Sequence, residues 1–228
     1  MARSDAYIVA ASAAKVGRLA PRHGTQPERL EHDVLAPIVF DALARAGLTA
    51  GQVNSAVFTA PTPATKQLGF STYMASRLGL TCTGQITEVN AMGLTGGAAF
   101  DQAVADVELG RAEIALALGV SFSTNADFAT IMDHSIRAVG DLEFQAPFGL
   151  TPISWYALDA VRYSHETGVP REDIASVAVK SRMAAKDNPI AQFRQVISLE
   201  DVLDQKQIVE PLGRFEVPAI SDGAICVV

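Results

Sequence analysis

Apolar positions fall into two rhythms along the first half of the chain, and their alternation predicts its architecture. Tyr7 to Ala11 is a short apolar run, long enough for a buried strand. From Pro27 to Ala46 the apolar residues Leu30, Val34, Leu35, Ile38, Val39, Ala42, Leu43 and Ala46 recur three and four apart. That spacing puts them on one face of a helix. Gly47 is a natural stop just past its end, and Pro37 inside the pattern predicts a kink or a late start. Val53 to Thr59 reads as a second strand, closed by Pro61 and Pro63. Lys66 to Leu78 reads as a second helix, with Gly79 beyond it. Gln85 to Asn90 is a third strand, Thr95 to Leu109 a third helix ended by Gly110, and Glu113 to Val120 a fourth strand, almost wholly apolar. The order β-α-β-α-β-α-β predicts a parallel sheet with helical crossovers.

The regularity breaks from Ser121 to Asp222. Thr124 to Gly149 mixes polar and aromatic residues without a clear period. Pro152 to Thr167 and Arg171 to Lys186 read as helices separated by Gly168-Val169-Pro170, and Leu199 to Gln205 as a short one. Ala224 to Val228 is apolar again and reads as a fifth strand. A connection this long between two strands needs structure of its own. Residues 122–221 are therefore expected to form an inserted, mostly helical subdomain on a sheet layer of residues 1–121 and 222–228. Stopping within the fifth strand suggests a longer design, truncated here or completed by another chain.

Composition agrees with a well-filled core. Of 228 residues, 49% are apolar and 19% charged, against a usual charged share of about 25%. Such a chain is not disordered. The formal net charge of -7 argues against a nucleic-acid binder, which normally presents a basic patch. Two cysteines, Cys82 and Cys226, are too few for a disulfide framework and suit a reducing compartment. No apolar run reaches the roughly 18 residues of a membrane span, and the N-terminal apolar run lacks a cleavage signal after a long apolar core. A cytoplasmic protein is expected.

The stretch richest in possible chemistry is Glu88-Val89-Asn90-Ala91-Met92-Gly93-Leu94-Thr95-Gly96-Gly97-Ala98-Ala99. A strand enters a tight turn that opens a helix. Small residues there allow close backbone approach, and a helix start offers N–H groups to an anion or oxyanion. The stretch lacks the G-x-G-x-x-G of a dinucleotide site. It matches a G-x-S-x-G elbow only with Thr95 in place of serine. The plain alternative is tight helix–sheet packing. Gly96, Gly97, Ala98, Ala99, Ala103 and Ala105 leave the third helix small on several faces. Such a helix suits a crowded layer between two sheets, and the five strands make only one.

At these residues the chain resembles the N-terminal half of a thiolase, most like the sterol-carrier-protein-2 type. The resemblance rests on Val89-Asn90 with Thr95-Gly96, then Gly110-Arg111-Ala112-Glu113-Ile114-Ala115-Leu116-Ala117-Leu118-Gly119. Further on it rests on Arg162-Tyr163-Ser164-His165-Glu166-Thr167-Gly168 and Ile220-Ser221-Asp222-Gly223-Ala224. It covers essentially the whole chain. It implies a five-layer α-β-α-β-α fold whose second sheet belongs to a C-terminal half absent from this chain. It also implies that the insert is the loop domain covering a bound acyl-CoA. The family pattern V-N-x-x-C-x-[ST]-G places an acyl-accepting cysteine where this chain has Gly93. A thiolate at a helix start attacks thioesters well; glycine can offer only its N–H.

The resemblance therefore implies a thiolase-like acyltransferase working on acyl-CoA at a C–C bond, with its usual nucleophile missing. A first alternative is a retro-aldolase of the steroid side-chain type. It would cleave β-hydroxyacyl-CoA beside a small zinc-ribbon/OB-fold partner, and needs a base and enolate stabilisation but no acyl-enzyme. A second alternative is a non-catalytic structural or binding subunit. The catalytic candidates are Gly93, Asn90 and Thr95. The substrate-contact candidates are Met92, Leu94, Gly96, His134, Arg137 and Phe148. Coenzyme A enters as substrate, with no permanent cofactor. A homodimer is implied through the third strand, which would otherwise be an exposed edge.

The remaining polar residues have simpler readings. His134 lies in a polar part of the insert, where a solvated loop histidine is the commoner case. His165 at a helix end favours the helix dipole. His23 and His32 flank a basic stretch with Arg18 and Arg22. No pair has metal-ligand spacing, so no metal is expected. Arg137, Lys180, Arg182 and Lys186 could meet CoA phosphates or form a solvated face. Tyr156 and Tyr163 could donate hydroxyls or simply pack.

Overall fold

A computed structural model describes residues 5–19, 30–60, 65 and 67–228. The predicted helix start at Pro27, the strand stops Pro61 and Pro63, the helix start at Lys66, and Arg22 and His23 lie outside them. The described chain divides into two units, residues 1–126 with 221–228, and residues 127–220.

The first unit is built on a five-stranded sheet in the order β1-β7-β4-β2-β3. The strands are β1 (Ala11–Ala13), β2 (Ser55–Thr59), β3 (Ile86–Val89), β4 (Ala115–Ser121) and β7 (Gly223–Val227). Strands β2, β3 and β4 are parallel, as the β-α-β rhythm predicts. β1 runs in the same direction as these three, and the fifth predicted strand, β7, is reversed, which makes the sheet as a whole mixed. β7 returns from the insert at the end where β4 leaves, so it can only run back along it, and it is antiparallel to both β4 and β1. The predicted first strand also shifts, from Tyr7–Ala11 to Ala11–Ala13. Val9 and Ala10 both donate to the Val228 carbonyl. Tyr7, Ile8 and Val9 are exposed.

Alternation along the strands sorts the core onto two faces. Ala56 and Phe58 of β2 and Leu116, Leu118 and Val120 of β4 face the larger cluster. There α1 (Glu31–Arg45) contributes Val34, Leu35, Val39 and Leu43, and α2 (Phe70–Arg77) contributes Phe70 and Met74. Val57 and Ala117 face the other way, against Ala99 and Ala103 of α3 (Thr95–Glu108). Pro37 lies inside α1 and does not end it; it simply has no N–H to give one turn back. α2 starts at Phe70, later than read from the pattern, behind Gly69 in the left-handed region.

One buried carboxylate fixes α3 against the sheet. Asp106 is fully buried. It accepts from Ser55 Oγ of β2 at 2.5 Å, Gln102 Nε2 at 2.8 Å, and Arg111 Nε and Nη2 at 3.0 and 2.8 Å. A buried charge so surrounded is stabilised by its donors, and removing them would leave it stranded.

The second unit holds α4 (Phe128–Val139), α5 (Pro152–Thr167), α6 (Arg171–Ala185), α7 (Leu199–Leu203) and a hairpin of β5 (Gln207–Val209) and β6 (Leu212–Gly213). Its buried cluster is small: Ala175, Ala178, Ile197 and Val202, with Val179 and Phe215 against it. α4 corrects the reading of Thr124–Gly149 as patternless. Asp127 caps it, accepting from Thr130 N at 2.8 Å, but the helix buries no residue. Phe128, Ile131, Met132, Ile136 and Val139 nevertheless recur three and four apart along it, a helical stripe inside a stretch whose overall mixture of polar and aromatic residues hides it. The β5–β6 hairpin is likewise an addition to the mostly helical expectation.

Candidate functional site

β3 delivers the chain to a turn at Asn90–Leu94, and α3 starts directly after it. Two side chains hold this turn. Asn90 Oδ1 accepts from Met92 N at 3.2 Å. Thr95 Oγ1 accepts from Ala91 N at 2.9 Å and donates to the Met92 carbonyl at 2.7 Å. Between them Met92 takes φ 51, the one described non-glycine residue at positive φ. A side-chain-bearing residue enters that region only where its surroundings hold it there. Asn90 and Thr95 thus act as braces of the turn.

Gly93 follows Met92 in a single 3-10 turn, Met92–Leu94, and its φ is not in the left-handed region. A Cβ built on Gly93 meets nothing within 4 Å, and the same holds for Gly96 and Gly97. This corrects the tight-packing reading of these glycines. The close approach to the sheet is made by Ala99 and Ala103 instead. Met92 and Leu94 are exposed around the turn. Much of the turn's own backbone is committed: the N–H groups of Ala91 and Met92 go to side chains, that of Leu94 to the Ala91 carbonyl and that of Thr95 to the Met92 carbonyl, so donors for a negative charge must come from the rest of the helix start.

No thiol stands in for a nucleophile here. Cys226 is fully buried in β7, and burial pushes its thiol up to about 12. Burial also raises Cys82. Burial therefore disfavours the thiolate, the attacking form, at both.

Asn90, Met92, Gly93, Leu94, Thr95 and Gly96 are thus brought into one turn of the first unit. The other three candidates belong to the second. His134 is exposed on α4. Arg137 pairs with Asp133 at 2.9 Å in an exposed helix pair. Phe148 ends a short 3-10 turn and is 81% exposed.

The second unit also carries a groove of about 930 Å³ that the sequence pattern did not reveal. Arg182 of α6 lies in it with its guanidinium 4.5 Å from the centre of the Phe193 ring and 5.7 Å from that of Phe215. Arg214 and the β6 residue Leu212 complete that part of the lining. Arg182 covers a face of each ring, and the two guanidinium groups suit phosphates, with the Glu216 carboxylate in the same lining. Arg182 was visible in the sequence as a candidate for phosphate. The rings were not, because they lie 11 and 33 residues further on, outside any periodic pattern.

Among the described residues, no group of three or more His, Cys, Asp or Glu side chains could hold a metal ion. Among them, too, no helix is long and apolar enough to cross a membrane.

Comparison with known proteins gives consistent results. The family model described as the thiolase N-terminal domain matches residues 6–227. The steroid side-chain-cleaving aldolase of Thermomonospora curvata is 32% identical over 95% of this chain and 56% of its own. The acetyl-CoA acetyltransferase of Methanothermobacter thermautotrophicus is 34% identical over 72% of this chain and 42% of its own. Among solved structures, the Ltp2-ChsH2(DUF35) aldolase superposes with a TM-score of 0.78 at 27% identity, covering 100% of this chain and 56% of that one. This chain therefore spans about half the length of the relatives it matches.

Proposed function

The chain belongs to the thiolase family, matching its N-terminal domain, and from that premise we propose that the protein acts on CoA thioesters at a C–C bond, by retro-aldol cleavage of a β-hydroxyacyl-CoA. The observation that carries this reading is the Asn90–Thr95 turn. It is braced and left open at Gly93, where the family resemblance would put an acylated cysteine. In the retro-aldol reaction a base takes the β-hydroxyl proton and the Cα–Cβ bond breaks. The carbonyl product leaves, and the electron pair forms a thioester enolate that is then protonated at Cα. No acyl-enzyme forms. The enolate oxygen needs donors held in place, and N–H groups at the start of α3 can serve as such donors. Space at Gly93 leaves room for a branched or ring-bearing substrate.

The aldolase relative matches nearly the whole chain, which supports this form of the reaction. Acyl transfer is the second reading, favoured by the acetyltransferase match. It requires a nucleophile other than Gly93, Cys82 or Cys226.

The groove of the second unit suits the phosphate-bearing end of CoA, with Arg182 and Arg214 as its cationic groups. A small zinc-ribbon/OB-fold partner is proposed by analogy with the solved aldolase, whose name carries a DUF35 component. β3 lies at the edge of the sheet, and a homodimer paired along it would cover that edge.

The test is calorimetric titration of the complete natural protein with acyl-CoA and β-hydroxyacyl-CoA esters. Binding of these esters is expected. Absence of any binding would remove both catalytic readings and leave a non-catalytic subunit.

A further inference from the structure

The chain leaves the first unit after Ala126 and re-enters it at Ser221. The two connections run side by side, because Ser121 at the end of β4 and Gly223 at the start of β7 are register partners. Beside that pair the Asp222 side chain, 1% exposed, gathers both connections and a third segment. Its Oδ1 accepts from Thr124 N at 2.7 Å. Its Oδ2 accepts from Leu19 N at 2.8 Å and from Thr124 Oγ1. The Asp222 backbone bridges Gly17 in both directions, at 3.1 and 2.7 Å. Arg18 Nη2 then donates to the Thr124 carbonyl at 3.1 Å. Thr124 is thereby held at its N–H, its hydroxyl and its carbonyl.

We infer that Asp222 is a latch: one buried carboxylate fixes the outgoing connection to the returning one and both to the 17–19 segment, and so governs how readily these three segments of the first unit part from one another. The inference does not depend on what the protein binds. The bonds are to a charged acceptor, the stronger class of hydrogen bond. They are concentrated on one side chain, so a single substitution should open the latch without disturbing the ladders of β2 and β4. Those ladders are held separately by their parallel pairing and by the Phe58 and Leu118 cluster.

The experiment is native-state hydrogen exchange by mass spectrometry on the full chain, comparing wild type with Asp222→Asn and Thr124→Val. Asp222→Asn keeps the shape but places an amide where donors converge. It should raise exchange in peptides covering 17–19 and 122–126 on the order of tenfold or more. Peptides from β2 and β4 should keep their protection. Thr124→Val removes only the hydroxyl and should raise exchange in the same peptides by a smaller factor. If Asp222→Asn does not fold, the Thr124→Val pattern decides alone. Unchanged exchange in these peptides would overturn the latch. So would a uniform rise across β2 and β4, which would make Asp222 a general support of the sheet.

Discussion

Thr59 of β2 closes over Gly119 of β4 so tightly that a Cβ on the glycine would lie 2.0 Å from Thr59 Oγ1 and 2.9 Å from its Cβ. The two neighbouring strands therefore need glycine at 119, although its backbone is not at positive φ. Gly119→Ala should destabilise the fold by about 2–3 kcal/mol, as overpacking does, read from the shift in urea midpoint. Adding Thr59→Ala should recover part of the loss, since the hydroxyl and methyl go while the Cβ stays.

The Thr95 hydroxyl makes two of the three side-chain bonds that hold the turn at the proposed site. Thr95→Val removes both the acceptor for Ala91 N and the donor to the Met92 carbonyl. It should cost about 1–2 kcal/mol, because the turn is partly open to water. It should also weaken CoA-ester binding in calorimetry. Thr95→Ser, which keeps the hydroxyl, should stay near wild type in both.

The two thiols should be poor nucleophiles. At about pH 8 an unperturbed cysteine is partly thiolate. Burial raises Cys82 and pushes Cys226 up to about 12. Iodoacetamide labelling followed by peptide mass mapping should show Cys82 reacting more slowly than free cysteine. Cys226 should react only after unfolding. Fast labelling of either would reopen the question of a substitute nucleophile.

Acid should reveal the link between β1 and α1. Ser12 Oγ donates to Asp41 Oδ2 at 2.6 Å, and Arg45 pairs with Asp41 at 2.8 Å. Ser12 first and Arg45 second hold the Asp41 carboxyl below its ordinary value of 3.8. A lowered folded-state value stabilises the fold above the unfolded value. That stability is lost as pH falls through the folded one. Asp41→Asn should therefore melt below wild type at about pH 6, and the two melting curves should converge as pH drops below the carboxylate range. A difference that persists in acid would assign the effect to packing.

Much of this architecture can be read from the pattern of apolar residues. The helical spacing of Leu35, Val39, Ala42 and Leu43 and the continuous run Leu116–Val120 announce α1 and β4, because each is packed by a deep core. The register of β7 could not be read. Direction in a sheet depends on where a long connection returns, which a short run such as Ala224–Val228 does not encode. α4 is legible after all from the spacing of Phe128, Ile131, Met132, Ile136 and Val139; reading Thr124–Gly149 as one stretch dilutes that stripe with the irregular residues that follow Val139. The Asn90–Thr95 turn was legible as a strand–turn–helix motif. Its glycines misled, because Gly93, Gly96 and Gly97 face open space and not the sheet. The Asp222–Thr124 contact joins residues 98 apart, and no local rule links such positions.

The open space at Gly93 permits a side chain there. Gly93→Cys should fold with a melting temperature within about 2 °C of wild type, since no atom is displaced. It should also form a mass adduct with acyl-CoA if the start of α3 activates a thiol. A variant that folds but stays unmodified would argue that this turn does not receive a thioester.

The central claim is C–C cleavage without an acyl-enzyme. Its most direct test is to incubate the complete natural protein with a panel of β-hydroxyacyl-CoA esters, following products by chromatography and the protein by intact-mass spectrometry. The account predicts a carbonyl product and a shortened acyl-CoA in equal amounts, with no protein adduct and no free CoA. An acyl adduct accompanied by CoA release would contradict it and return the protein to acyl transfer.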